Sequence, residues 1–223
     1  MLKRFLPLLL TLCWLPAAVA GQANILVLGD SLSAAYGMAQ SQGWTSLLGQ
    51  RLAAEDYPYH VVNASISGDT SQGGLSRLSP LLQQHQPFLT IVELGGNDGL
   101  RGTAPAETLR NLQAIIEQAQ TSGSQVILIG VRLPANYGAA FNQRFGAVYQ
   151  ELAQTYQLPL VILSLDDVLG QPDMIQSDGL HPTAQAQPVI LDLVWPAIVE
   201  ALSEEPTGTD SPLNPQGAGR DQR

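Results

Sequence analysis

A parallel β-sheet wrapped by helices on both faces is the architecture this sequence predicts. Five short apolar runs lack the alternation of a half-exposed strand, so each reads as a strand covered from both sides. The stretches between them carry apolar residues at helical spacing, and strand and helix alternate along the chain. With 223 residues and 45% apolar content, the chain suits one domain of this kind and is too apolar for disorder.

The first strand is read at residues 24–29 (NILVLG), ending in Gly-Asp. A helix at 44–55 leads to a second strand at 60–63, and a helix at 72–84 to a third at 88–94. Helix 105–121 precedes strand 125–131, helix 139–157 precedes strand 158–163, and helix 183–202 closes the domain. In a doubly wound sheet the working residues lie on loops past the carboxyl ends of the strands. Gly29-Asp30-Ser31, the segment 65–69 and the segment 95–98 follow the first three strands, and 178–182 precedes the last helix. All four are expected on one edge of the sheet.

The two ends differ from this domain. Lys3 and Arg4 precede an apolar run over 5–15, and Ala18-Val19-Ala20 has the small-x-small form of a signal-peptidase site. The run is shorter than the ~20 residues of a membrane-spanning helix, so residues 1–20 read as a cleaved secretory signal. Export to the periplasm is expected, with secretion as the alternative. The one cysteine, Cys13, lies inside this segment behind Leu12, which does not suit a lipoprotein site. The expected domain, 21–202, therefore has no thiol for a nucleophile or metal site. Residues 203–223 are polar, without apolar period, and read as a disordered tail.

Charge excludes a class of partners. The whole chain stands at −9, and without Lys3 and Arg4 it carries 8 basic against 19 acidic residues, a net of −11. Such a field repels phosphate backbones and anionic membranes, so no nucleic-acid partner is expected.

A serine hydroxyl becomes a nucleophile when a histidine takes its proton. Of three histidines, His60 falls in a strand and His85 at a polar helix end, both ordinary structural positions. His181 has Asp178 three residues before it in DGLHP, a spacing that lets the carboxylate orient the imidazole. Alone, such a pair is also half of a metal site, but the loops offer no further ligands at zinc spacing. Ser31, in GDSLS at the end of the first strand, is the candidate nucleophile, with Ser33 the second choice. A G-x-S-x-G elbow is lacking, and Asp-Ser after a strand is equally a helix cap. Gly68 offers a backbone N–H that a ligand can approach, and Asn97 an amide behind two glycines.

Taken together these blocks resemble the SGNH (GDSL) hydrolase family, in its multifunctional thioesterase I / lysophospholipase L1 / arylesterase group. GDSLS (29–33), NASISGDT (63–70), GGNDGLRG (95–102) and DGLHP (178–182) occur in order, with LPANYG (133–138) after the fourth strand. The resemblance spans roughly residues 23–202. It implies a flavodoxin-like three-layer α/β/α sandwich with strand order 2-1-3-4-5. It implies Ser31 as nucleophile, Asp178 and His181 as its partners, and an oxyanion hole from Ser31, Gly68 and Asn97. The implied reaction is hydrolysis of an ester or thioester through an acyl-enzyme, with no cofactor and no metal, by a chain read as a monomer.

Leu32, Leu133, Pro134 and Tyr137 place apolar material near the nucleophile and favour an acyl chain over a sugar. A carbohydrate acetylesterase on the same scaffold is the alternative. From another class, a flavodoxin-like ligand-binding module would use the same loops, but neither a G-x-G-x-x-G nor a phosphate-loop pattern is present.

Overall fold

The structure, a computed structural model, describes residues 22–133, 135–164 and 173–203. The expected signal segment, Pro134 and nearly all of the expected tail lie outside them.

Five parallel strands form one sheet: β1 (Ala23–Gly29), β2 (Tyr59–Asn63), β3 (Leu89–Glu93), β4 (Gln125–Val131) and β5 (Leu160–Leu163). Their order is β2-β1-β3-β4-β5, as the resemblance implied. The helices are α1 (Trp44–Ala54), α2 (Ser71–His85), α3 (Gly96–Leu100), α4 (Pro105–Thr121), α5 (Ala139–Tyr156) and α6 (Gln187–Ser203).

Successive strand residues point to opposite faces, and this divides the core in two. Leu26 and Leu28 of β1 pack with Leu78 of α2, Ile115 of α4 and Tyr149 of α5. Ile25 and Val27 pack on the other side with Trp44 and Leu48 of α1 and Val194 and Ile198 of α6. All of these side chains are fully buried. At about 1.5–3 kcal/mol each, their burial is the main favourable term in holding the three layers.

Only the central strands are closed on both sides. Every residue of β3 is buried, whereas β2 and β5, at the two edges, are half-exposed. The continuous apolar runs therefore overstate cover at the edges. The last helix also begins later than its pattern suggests: residues 184–186 form a 3-10 turn before α6, which runs through Ser203. Pro80 and Pro196 lie inside α2 and α6 at exposed positions, so the helical bond each omits lies on the solvent side of its helix.

One helix was not legible. The Gly-Gly-Asn-Asp segment reads as a turn, yet α3 starts at Gly96. Gly95 turns the chain with φ +108, a conformation that excludes side chains. Asp98 then accepts from the Ser71 N–H at 2.8 Å and the Ser71 hydroxyl at 2.5 Å, and Asn111 of α4 donates to the same hydroxyl. Tertiary bonds, more than propensity, hold this turn helical.

Candidate active site

Ser31 sits just past β1, an inner strand between β2 and β3, where the loops before α3 and α6 meet it. Gly29 allows this close packing, since a Cβ there would lie 2.8 Å from Glu93 Oε2 and 2.9 Å from Ser33. The turn after the strand closes through the Ala34 N–H on the Asp30 carbonyl, at 2.9 Å. That turn leaves the Ser31 hydroxyl in reach of the imidazole: His181 Nε2 lies 2.9 Å from Ser31 Oγ.

His181 is held from the other side. Its Nδ1 lies 2.6 Å from Asp178 Oδ2. Asp178 Oδ1 meanwhile accepts the N–H groups of Leu180 and His181 at 2.9 and 3.0 Å, so the DGLHP spacing closes a small ring around one carboxylate. Those bonds, led by the His181 N–H, hold the Asp178 carboxyl down at about 2, against a smaller opposing effect of desolvation. Asp178 thus stays ionised over any ordinary pH and fixes the tautomer with the Nδ1 proton toward itself.

Gly68 and Asn97 reach the same cleft as Ser31 and His181, a cavity of about 300 Å³. Gly68 has φ +81 and its carbonyl accepts from Arg101 at 2.8 Å. Neither the Ser31 nor the Gly68 N–H donates to a protein group among the described residues. The Asn97 amide donates one hydrogen to Asp30 Oδ2, at 2.9 Å, and keeps a second. Three donors with spare capacity therefore line one cleft.

The remaining candidates divide. Leu32 and Leu133 line the cleft, joined by Leu100, Val131 and Leu180. Tyr137 is not part of the lining; its hydroxyl donates to the Leu100 carbonyl, 3.1 Å away. Pro134 lies outside the described residues. Ser33 is fully buried, donates to Glu93 at 2.8 Å and accepts from the Trp44 indole at 3.2 Å, which makes it a brace under the loop. His60 lies in β2 and His85 ends α2, both away from the cleft lining.

Three residues escaped the sequence reading. Tyr36 is half-exposed and covers the His181 ring at 4.3 Å between centroids. Arg132 follows β4 at the cleft edge, where the strand-end rule pointed all along. Glu93 closes the fully buried β3, and a lone carboxylate inside a buried run was the signal.

Glu93 and Asp30 form the second charged feature. Asp30 is 2% exposed and Glu93 0%. Burial pushes Asp30 up to about 6, opposed by hydrogen bonds from Leu32 and Asn97. Burial, and then the Asp30 charge, push Glu93 well above the usual carboxylate range.

Serine, histidine and carboxylate hydrogen-bonded in series beside one cleft are an arrangement suited to acyl transfer. The chain belongs to the GDSL-like Lipase/Acylhydrolase family, which matches residues 27–187. It is 49% identical to "Esterase TesA" of Pseudomonas aeruginosa over 82% of this chain and 91% of that protein. It is 46% identical to "Thioesterase 1/protease 1/lysophospholipase L1" of Escherichia coli K12, over 78% of this chain and 82% of that protein. A solved structure described as TesA superposes with a TM-score of 0.77 at 49% identity, over 80% of this chain and 99% of that one.

Proposed function

We propose that this acylhydrolase cleaves carboxylic esters and thioesters through an acyl-enzyme on Ser31. One observation carries the reading: His181 spans Ser31 Oγ at 2.9 Å and Asp178 at 2.6 Å on the wall of a cleft rimmed by spare donors. His181 takes the Ser31 proton as Oγ attacks the carbonyl carbon. The Ser31 and Gly68 N–H groups and the Asn97 amide receive the oxyanion. The protonated imidazole then gives its proton to the departing alkoxide or thiolate. Water attacks the acyl-enzyme by the same route in reverse, releasing the acid and restoring Ser31.

The substrate is a small ester or thioester whose acyl group lies along Leu32, Leu100, Val131, Leu133 and Leu180. Each methylene held there contributes up to ~0.8 kcal/mol, enough for a few carbons to separate acetyl from hexanoyl substrates tenfold. Esterase, thioesterase and lysophospholipase names among the relatives support this range. The leader pattern of residues 1–20 supports a periplasmic site of action, and nothing in the proposed chemistry calls for a cofactor, a metal or a second chain.

Labelling with a fluorophosphonate tests the nucleophile: wild type takes one label and Ser31→Ala none. Turnover in Ser31→Ala near that of wild type would overturn the mechanism. A series of p-nitrophenyl esters from acetate to dodecanoate tests the acyl groove. Acetate as best substrate, with steady decline beyond it, would favour the carbohydrate acetylesterase instead.

A further inference from the structure

Beneath the nucleophile lies a pair of acids that the reaction as written does not use. Glu93 ends β3, and Asp30 directly follows the neighbouring β1, whose last residue Gly29 stands opposite Glu93. The Asp30 N–H donates to Glu93 Oε2 at 3.2 Å, which sets the two acids side by side. Among the described residues neither has a lysine or arginine partner. Two buried acids side by side without a cation cannot both be ionised, so the pair must hold a proton.

The hydrogen bonds say where that proton sits. Asp30 uses both oxygens as acceptors, Oδ1 from the Leu32 N–H at 3.0 Å and Oδ2 from the Asn97 amide at 2.9 Å. Glu93 Oε2 accepts from the Asp30 N–H at 3.2 Å and from Ser33 at 2.8 Å, while Oε1 is buried with no partner. An orphan oxygen on an ionised, fully buried group would be costly, and a proton on Glu93 turns it into a donor. Asp30, whose N–H already bonds Glu93 Oε2, supplies the neighbouring carboxylate as acceptor. Gly96 keeps this corner open, because a Cβ there would stand 3.3 Å from Asp30 Oδ2.

We propose that Glu93 and Asp30 share one proton as a positioning pair, in which protonated Glu93 supports an ionised Asp30 that aims the Asn97 amide into the oxyanion hole. The inference rests on Asn97 acting as an oxyanion donor, which Asn97→Ala tests by itself. With one hydrogen of its amide tied to Asp30, Asn97 has its other fixed toward the cleft and loses no rotational freedom when charge develops. Other titratable or charged groups around the pair are Tyr149 of α5, Asp98 of α3 and Arg77 of α2. Arg77 reaches the Gly29 carbonyl but is ion-paired to Asp69. A second proton on the pair cancels the charge of Asp30 and loosens its hold on Asn97.

The test compares wild type, Glu93→Gln, Asp30→Asn, Asn97→Ala and the double variant Asp30→Asn/Asn97→Ala, by kcat and KM from pH 4.5 to 9. The ester used carries a leaving group that does not titrate in this range. Glutamine reproduces the protonated acid, so Glu93→Gln should keep kcat within about threefold and the same pH profile. Asp30→Asn should lower kcat about tenfold or more, with KM nearly unchanged. The acid limb of wild type should take up two protons and that of Asp30→Asn one. In the Asn97→Ala background, Asp30→Asn should cost less than about threefold, because Asp30 acts through that amide. A loss in Glu93→Gln as large as in Asp30→Asn would overturn the assignment of the proton. A one-proton limb in wild type, or additive losses in the double variant, would overturn the positioning role. Should Asp30→Asn fail to fold by circular dichroism, the wild-type limb and Glu93→Gln decide alone.

Discussion

Ser31 and Ser33 are the same side chain two positions apart, and their surroundings give them different work. Ser31 faces His181 across the cleft, while Ser33 is spent on Glu93 and Trp44. Ser31→Ala should therefore abolish acyl-enzyme formation with little change in melting temperature. Ser33→Ala should do the converse: an indole N–H left buried without an acceptor costs about 1–3 kcal/mol, read as a lower Tm, while the acyl-enzyme still forms. Asn97→Ala should lower kcat by about 10²-fold with little effect on KM, the mark of a donor used only when charge develops. A defect confined to KM would mean that Asn97 binds ground-state substrate. At this scale the sequence was readable wherever a side chain sat in a short motif. Glu93 was not, because its partner Asp30 lies 63 residues away and only the sheet brings them together. Tyr36 was missed for a similar reason: what it covers comes from the far end of the chain.

Elements were legible where apolar spacing was regular and tertiary contact merely confirmed it. Strands β1 and β4 and helix α4 fall on or within a residue of their expected bounds. The misreading of α3 came from local chemistry that favours a turn, overridden by Asp98, Ser71 and Asn111. The junction before α3 makes a sharp prediction. A Cβ on Gly95 would lie 2.3 Å from the Tyr149 hydroxyl oxygen, and that hydroxyl donates to the Leu94 carbonyl at 3.0 Å. At φ +108 the backbone also excludes alanine. Gly95→Ala should therefore cost about 3 kcal/mol or more in urea unfolding, from strain and a displaced buried hydroxyl together. A change under about 1 kcal/mol would mean that the β3–α3 corner is pliant.

For the molecule as a whole, the two sets of carboxyls act on stability with opposite sign. Asp30 is raised from 3.8 to about 6, so its contribution is complete below 3.8 and lost as pH climbs through 6. Asp178 is lowered from 3.8 to about 2, so its contribution is present above 3.8 and lost as pH falls through 2. Both contributions are largely present together only near pH 4, and the Asp30 part falls away as pH climbs from there to 6. Thermal melts should show a higher Tm at pH 5 than at pH 8, with the loss to Asp30 on the order of a few kcal/mol at most. Asp30→Asn should flatten that slope. A Tm that rises steadily from pH 5 to 8 would show that other groups dominate. The overall architecture was the most legible level of all, because alternation of strand and helix leaves few topologies and the order of motifs selects among them.

Ser31 and His181, proposed above as nucleophile and base, stand 150 positions apart in the chain, one just past the first strand and the other in the loop before the last helix. In a chain made from its N-terminus, Ser31, Gly68 and Asn97 all exist long before anything can draw a proton from the serine. An unfinished or prematurely released polypeptide is thus chemically silent toward esters, whatever part of its sheet has formed. Turnover switches on with the arrival of DGLHP and the docking of α6. Pulse-labelled translation should show ester cleavage trailing full-length chain and never leading it.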